Sequence, residues 1–278
     1  MAWKIRDRTF NWGEKTYLMG ILNVTPDSFS DGGQFDSVET ALIQARDMIA
    51  HGVDIIDIGG ESTRPHAESI SVEQELQRVI PVIEQLRQIT QRPISIDTTK
   101  AEVARQAIAS GADLVNDISG GTFDPQMFPT VAQLNVPIIL MHIRGNPQTM
   151  QSLTDYQDVV SEVAEFLTIQ VNKAIASGIS RSKIIIDPGI GFAKQAEQSL
   201  ELLQRLNELK ALSLPMLVGV SRKSFLRPIL HQNDPKERIW GTAAACYGAI
   251  VRGADILRVH DVRQMYDVCR VADAIERK

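Results

Sequence analysis

The chain has 278 residues, 44% of them hydrophobic, with 29 basic against 34 acidic side chains and a formal charge of −5. That length and apolar content suit one large α/β domain over 1–278, and the acidic balance argues against generic nucleic-acid binding. Two distant cysteines, Cys246 and Cys269, point to a reducing cytoplasm rather than a disulfide framework; the first residues lack a signal-peptide core, and no apolar run reaches the ~20 residues of a bilayer span.

Residues 1–16 alternate apolar and polar, with Asn11 and Gly13 near a bend, which predicts a hairpin plugging the N-terminal end of a barrel. Eight short apolar runs then each stop on a polar side chain. Residues 18–22 end at Asn23, 53–56 at Asp57, 94–96 at Asp97, and 114–115 at Asn116 and Asp117. Residues 136–141 end at His142, 184–186 at Asp187, 216–220 at Ser221, and 256–257 at Arg258. Strands buried on both faces read as continuous apolar runs. Helical stripes follow at 37–50, 72–89, 100–109, 157–176, 196–209, 235–251 and 262–276, with the weakest at 125–134. Eight such units predict a (β/α)8 TIM barrel whose active site lies at the C-terminal strand ends. Two long polar loops, 24–36 and 59–71, fall on that face and have the length of lids or binding loops.

Four groups of residues could carry chemistry. Asn23 offers a neutral oxygen for a ligand or a hydrated Mg2+, though an Asn at a strand end more often satisfies local backbone. Asp57 precedes paired glycines that allow close backbone approach, followed by Ser62, Thr63 and Arg64; it could equally be a structural carboxylate holding its loop. Asp97, Asn116 and Asp187 end three separate strands and would face one another across the barrel mouth. Carboxylates and amides there match the hydrogen-bonding edge of a flat heterocycle. One such Asp is usually a helix cap, but three independent strand ends favour a site. Arg222 and Lys223, then Arg258 and His260, follow the last two strands, where barrels commonly bind phosphate. Arg258 can fork onto phosphate oxygens. No HExxH, Walker A loop or metal-spaced Cys/His set occurs.

Six segments in order, GILNVTPDSFSDGG at 20–33, IIDIGGESTRP at 55–65, MHIRGNPQTMQ at 141–151, DPGIGFAK at 187–194, SRKSF at 221–225 and RVHDV at 258–262, resemble the dihydropteroate synthase family. The resemblance runs from about Tyr17 to the end of the chain. It implies a (β/α)8 barrel that joins 6-hydroxymethyl-7,8-dihydropterin diphosphate to 4-aminobenzoate, with Mg2+ assisting and pyrophosphate released. It also implies a cytoplasmic homodimer, inhibited by sulfonamides, with no nucleic-acid or membrane partner.

Carried over motif by motif, Asn23 would contact Mg2+ and diphosphate, together with Thr63, Arg64, Arg258 and His260. Asp97, Asn116, Met141, Asp187 and Lys223 would bind the pterin. Phe192, Ser224, Arg64 and Pro65 would receive the aminobenzoate. Asp97, Lys223, Arg258 and His260 would be catalytic. One departure is His66, where the family often has glycine, which bears on the reach of the second loop. Two rival readings stay open on these residues: a methyltetrahydrofolate-binding methyltransferase barrel and a noncatalytic pterin-binding paralogue.

Overall fold

The structure, a computed structural model, describes residues 2–25, 34–64 and 67–277. Strands β1 (Ala2–Ile5) and β2 (Arg8–Asn11) form the antiparallel hairpin. Its turn falls at Arg6, which adopts a left-handed φ of 55°, and not at 11–13. Asn11 and Gly13 make the next bend, where the Asn11 amide donates to the Tyr17 hydroxyl.

Eight parallel strands follow: β3 (Tyr17–Asn23), β4 (Ile55–Gly59), β5 (Ile94–Asp97), β6 (Leu114–Asp117), β7 (Ile138–Met141), β8 (Ile184–Asp187), β9 (Leu217–Val218) and β10 (Ile256–Val259). They pair in chain order from β3 to β8, and β9 pairs β10, which pairs β3. The Ile186 to Met216 bridge, with the Ile186 amide donating to the Pro215 carbonyl, closes the barrel between β8 and β9. The barrel expected from eight βα units is therefore present. β9 is shorter than the apolar run at 216–220, and the Asp255 carboxylate takes the Met216 amide just before it.

The helices are α1 (Gln34–Ala50), α2 (Val72–Ile89), α3 (Ala101–Ala109), α4 (Met127–Leu134), α5 (Val159–Ala176), α6 (Ala196–Gln204), α7 (Arg227–Leu230), α8 (Ile239–Val251) and α9 (Val262–Glu276). α2 begins at a capping box, Ser71 with Gln74, and α5 at the Asp158 side chain, so both start where the unpaired N–H donors of the first turn find a side-chain acceptor. The stripe at 235–251 divides into a 3-10 turn, Pro235–Arg238, and α8, since Asp234 caps the tight turn at Lys236. The stripe at 196–209 likewise ends as α6 and gives way to a 3-10 segment, Leu206–Leu212. No helix among the described residues is long and apolar enough to cross a membrane.

Two apolar zones stabilise the barrel. One lies between strands and helices. The other fills the barrel's lower interior with Tyr17, Met19, Ile55, Leu114, Ile139, Ile185, Leu217 and Ile256, stoppered by Trp3 and Phe10 of the hairpin. Side chains alternate faces along a strand. Two residues beyond each inner apolar position, the same inward face presents Asp57, Asn116, Met141, Asp187 and Arg258, and Asp97 follows the inward Ser95. A dry floor and a polar rim thus come from one period-2 pattern.

Candidate active site

The rim holds a network built on Arg258. Its Nε donates to Asp57 Oδ2 and its Nη2 to Asp97 Oδ2, both at 2.6 Å. Asn116 Nδ2 donates to the same Asp57 oxygen at 3.1 Å. Asp57 is fully buried and its Oδ1 has no partner among the described residues. Burial pushes the Asp97 carboxyl up to about 7, with Arg258 opposing and Asp57 adding to the rise. Burial lifts Asp187 to about 6, against the Gly189 amide that donates to its Oδ1 at 2.8 Å and the nearby Lys223 charge. Asp97 and Asp187, both lifted by burial, are therefore the groups of this rim that can exchange protons near neutral pH.

Lys223 reaches in from the opposite wall. Its Nζ lies 3.9 Å from the Phe192 ring centre. Burial lowers its pKa to about 8, with the Asp187 charge opposing. Met141 packs with Ile118, Ile143, Met150, Ala193 and Phe192, making an apolar wall beside the polar rim. Such a slot, apolar on its flanks and lined by carboxylates and an amide, fits a flat polar ring.

His260 Nδ1 sits 3.0 Å from Ser221 Oγ, which also accepts the His260 amide at 3.2 Å. Burial and the Arg222 and Arg258 charges push the imidazole down to about 3, so it is neutral at physiological pH. Arg222, at first sight a solvated cation, forks onto Asp261 at 3.0 and 2.5 Å and holds a left-handed φ of 59°. It braces the loop that carries Lys223.

Asp97, Asn116, Asp187, Lys223, Phe192, Met141, Arg258 and His260 thus share one rim. Asn23 ends β3 half-buried, and both its Oδ1 and Asp97 Oδ2 lie near Gly59, where an added Cβ would stand 3.6 Å from each. Thr63 is half-buried and Arg64 exposed on the second loop, and Ser224 is exposed at the start of a 3-10 turn. No direct bond of these three to the rim network is seen. Pro65, His66 and residues 26–33 lie outside the described residues.

Sequence reasoning ranked Asp57 too low. It sits mid-strand rather than at a strand end, yet it shares the inward parity of Ile55. Two further groups, Lys194 and His142, were given no role by the sequence. Lys194 is buried and donates to the Gly189 and Phe192 carbonyls at 3.0 Å each, and its Nζ pairs with His142 Nδ1 at 2.9 Å. Burial drives the Lys194 pKa well down and that of His142 to about 2.

Among the described residues no group of three His, Cys, Asp or Glu could cage a metal. Asn23 supplies a neutral oxygen beside the acidic rim. Such a donor suits a divalent cation that keeps most of its waters.

The pterin binding enzyme family model matches residues 19–260. A dihydropteroate synthase of Synechocystis is 61% identical over 96% of this chain and 93% of its own length. The Yersinia pestis dihydropteroate synthase, solved with a sulfonamide drug complex, superposes with a TM-score of 0.93 at 39% identity, covering 99% of each chain. The Xanthomonas albilineans enzyme in complex with 7,8-dihydropteroate gives 0.87 at 40% identity, covering 97% of this chain and 96% of its own. With six motifs, the barrel and its polar rim in agreement, the chain belongs to the pterin binding enzymes and, among them, to the dihydropteroate synthase family.

Proposed function

We infer that this chain condenses 6-hydroxymethyl-7,8-dihydropterin diphosphate with 4-aminobenzoate, giving 7,8-dihydropteroate and pyrophosphate for folate synthesis. The observation that carries the reading is the convergence of Asp97, Asn116 and Asp187 with Arg258, Lys223 and His260 on one barrel rim. The pterin's donor-rich edge meets the carboxylates and the Asn116 amide, while Met141 and the Lys223 stem line its faces. Asp57 then acts as the buried counter-charge that holds Arg258 and Asn116 in place.

In the chemical step the bond between the pterin methylene carbon and the diphosphate oxygen breaks, and its electrons leave with the diphosphate. Arg258 stabilises that charge through the part of its guanidinium not held by Asp57 and Asp97. Neutral His260 adds an Nε2–H donor when Ser221 gives its hydroxyl hydrogen to Nδ1. Asp97 faces the positive charge developing on the pterin. The aromatic amine then forms the C–N bond and loses a proton to diphosphate or water. Phe192, Ser224 and Arg64 supply the aminobenzoate side of the site, and Thr63 and Arg64 serve the diphosphate. Asn23 and the diphosphate oxygens would hold magnesium, which supplies further neutralisation of the leaving group.

Cys246 and Cys269 are buried free thiols, which suits the cytoplasm we propose. A homodimer through the last two helices completes the proposal. The test is a magnesium-dependent pyrophosphate assay with and without 4-aminobenzoate. Release that requires both substrates is expected; no dihydropteroate in the complete mixture would overturn the reading.

A further inference from the structure

Residues 188–194 form no regular element, although with Asp187 they carry two walls of the site. Gly189 and Gly191 adopt left-handed φ of 67° and 78°, and Ala193 does the same at 50° while wholly buried. A non-glycine residue in that region costs of order 1–3 kcal/mol and persists only where its surroundings over-determine it. At Gly189 the loop backs directly onto the end of β7, where an added Cβ would stand 2.0 Å from the His142 carbonyl oxygen. Something must hold this coil, and the Lys194 side chain threads beneath it.

Lys194 Nζ touches three acceptor positions. Two are carbonyls of its own loop, Gly189 and Phe192, and the third is His142 Nδ1 at the end of β7. Gly189 is also where the loop grips Asp187, through its amide. Phe192 is where it meets Lys223, through its ring. An ammonium would spend all three donors on this trio. A neutral amine would donate to both carbonyls and accept from His142 Nδ1–H. In either charge state every position is satisfied, so the pin needs no partner from solvent or substrate. The Nζ is buried and its hydrogen bonds go to this trio, while its charge is felt by Asp187 and Lys223 of the rim.

We propose that Lys194 is a positioning residue of the condensation, fixing the Phe192 ring against Lys223 so that the amine-binding side of the site is preformed. The proposal rests on the function inferred above. Lys194 bonds the Phe192 carbonyl directly, whereas Asp187 stays anchored in β8 and is reached only through Gly189, so removal of Lys194 degrades use of 4-aminobenzoate before use of the pterin diphosphate. Misplacing a binding wall by about 1 Å can cost on the order of 10²-fold.

The experiment measures kcat and KM for both substrates in wild type, Lys194→Met, Phe192→Ala and the double variant, with thermal melts alongside. Expected is a rise of roughly tenfold or more in KM for 4-aminobenzoate in Lys194→Met, with KM for the pterin diphosphate within about threefold. The double variant should lose little beyond the worse single one, since both changes remove the same wall. If Lys194→Met folds poorly, Ala193→Gly with Lys194→Met carries the same test, because glycine relieves the left-handed strain. A Lys194→Met enzyme that loses only melting temperature, or losses that add fully with Phe192→Ala, overturns the proposal. An inactive wild type would instead sink the function on which it rests.

Discussion

Arg258 faces two duties that pull on the same side chain. It neutralises Asp57 and Asp97 inside the barrel, and it is the cation offered to the departing diphosphate. Removing one partner of a buried ion pair leaves an uncompensated charge and costs about 3–5 kcal/mol. Arg258→Met should therefore lose that much stability at pH 7.5. The loss should shrink near pH 5, because Asp97 already rises to about 7 with the guanidinium in place and is neutral in acid without it. Urea unfolding at the two pH values checks this; an equal loss at both would mean the arginine does not carry the carboxylates. The same variant should weaken binding of both the diphosphate substrate and free pterin, since the groups freed lie under the ring. Asp97→Asn behaves differently. The amide oxygen still accepts from Arg258, and a buried charge is gone, so the melting temperature should hold. Turnover should nonetheless fall on the order of 10²–10³-fold, as when one preorganised electrostatic partner is removed. Steady-state kinetics with a melt on the same sample separates the two effects, and normal turnover would remove Asp97 from the chemistry.

The hairpin β1–β2 is the element whose role is most separable from the site. Phe10 is fully buried and packs on Tyr17, 4.7 Å between ring centres, at the floor of the barrel. Phe10→Ala should cost about 3–5 kcal/mol and leave KM for both substrates unchanged, because the floor lies on the far side of a packed interior. Differential scanning calorimetry with kinetics on the same variant tests it, and a raised KM would mean that the floor and the rim communicate. This hairpin also shows what the sequence disclosed and what it hid. Alternation marked both of its strands, but the turn at Arg6 carried no glycine or asparagine to announce it. The barrel was legible because eight buried strands each leave an apolar run that a polar residue ends. Asp97, Asn116 and Asp187 were legible for the same reason. Asp57 was half-hidden, a charge inside an apolar run whose direction depends on strand register. Lys194 was invisible: its partners are two backbone carbonyls and a histidine 52 residues away, and only the folded coil brings them together. The split of the 235–251 stripe was unreadable for a similar reason, since periodicity does not distinguish a capped 3-10 turn from the first turn of a helix.

Across the whole molecule, two opposed sets of buried groups shape the dependence of stability on pH. His142 and His260 fall to about 2 and about 3, mainly through burial, so the folded chain keeps them neutral where the unfolded chain protonates. Their contribution is present above about pH 6.5 and is lost as pH falls below it toward those values. Asp97, Asp117 and Asp187 rise to about 7, 6 and 6, again through burial. Their contribution is full below about pH 4 and is lost as pH rises through 6 to 7. Replacing His142 by Gln keeps an acceptor for Lys194 and deletes one acid-sensitive group. Its stability should fall less between pH 6.5 and 4 than that of the wild type, as read by urea midpoints; parallel curves would mean that His142 is already charged in the folded state. The outer surface poses a separate question. Trp240, Tyr247 and Val251 of α8 and Val271 and Ile275 of α9 are exposed, with Trp240 at 79% and Val271 and Ile275 at 60% and 59%. The two helices are neighbours, tied by the Tyr247 hydroxyl donating to Glu276 at 2.8 Å. Isolated apolar residues on a surface need no explanation, but five exposed on two neighbouring helices are what an association face would supply. A symmetric dimer built here would pair α8 and α9 with their copies, placing each Val271 near an equivalent apolar surface. Val271→Glu would then bury a carboxylate twice per dimer with no cation among these five side chains to meet it. Sedimentation at micromolar concentration should show a dimer for the wild type and a monomer for the variant, with the melting temperature of the barrel little changed. A wild type that sediments as a monomer, or a variant that stays dimeric, would move the association face elsewhere on the molecule.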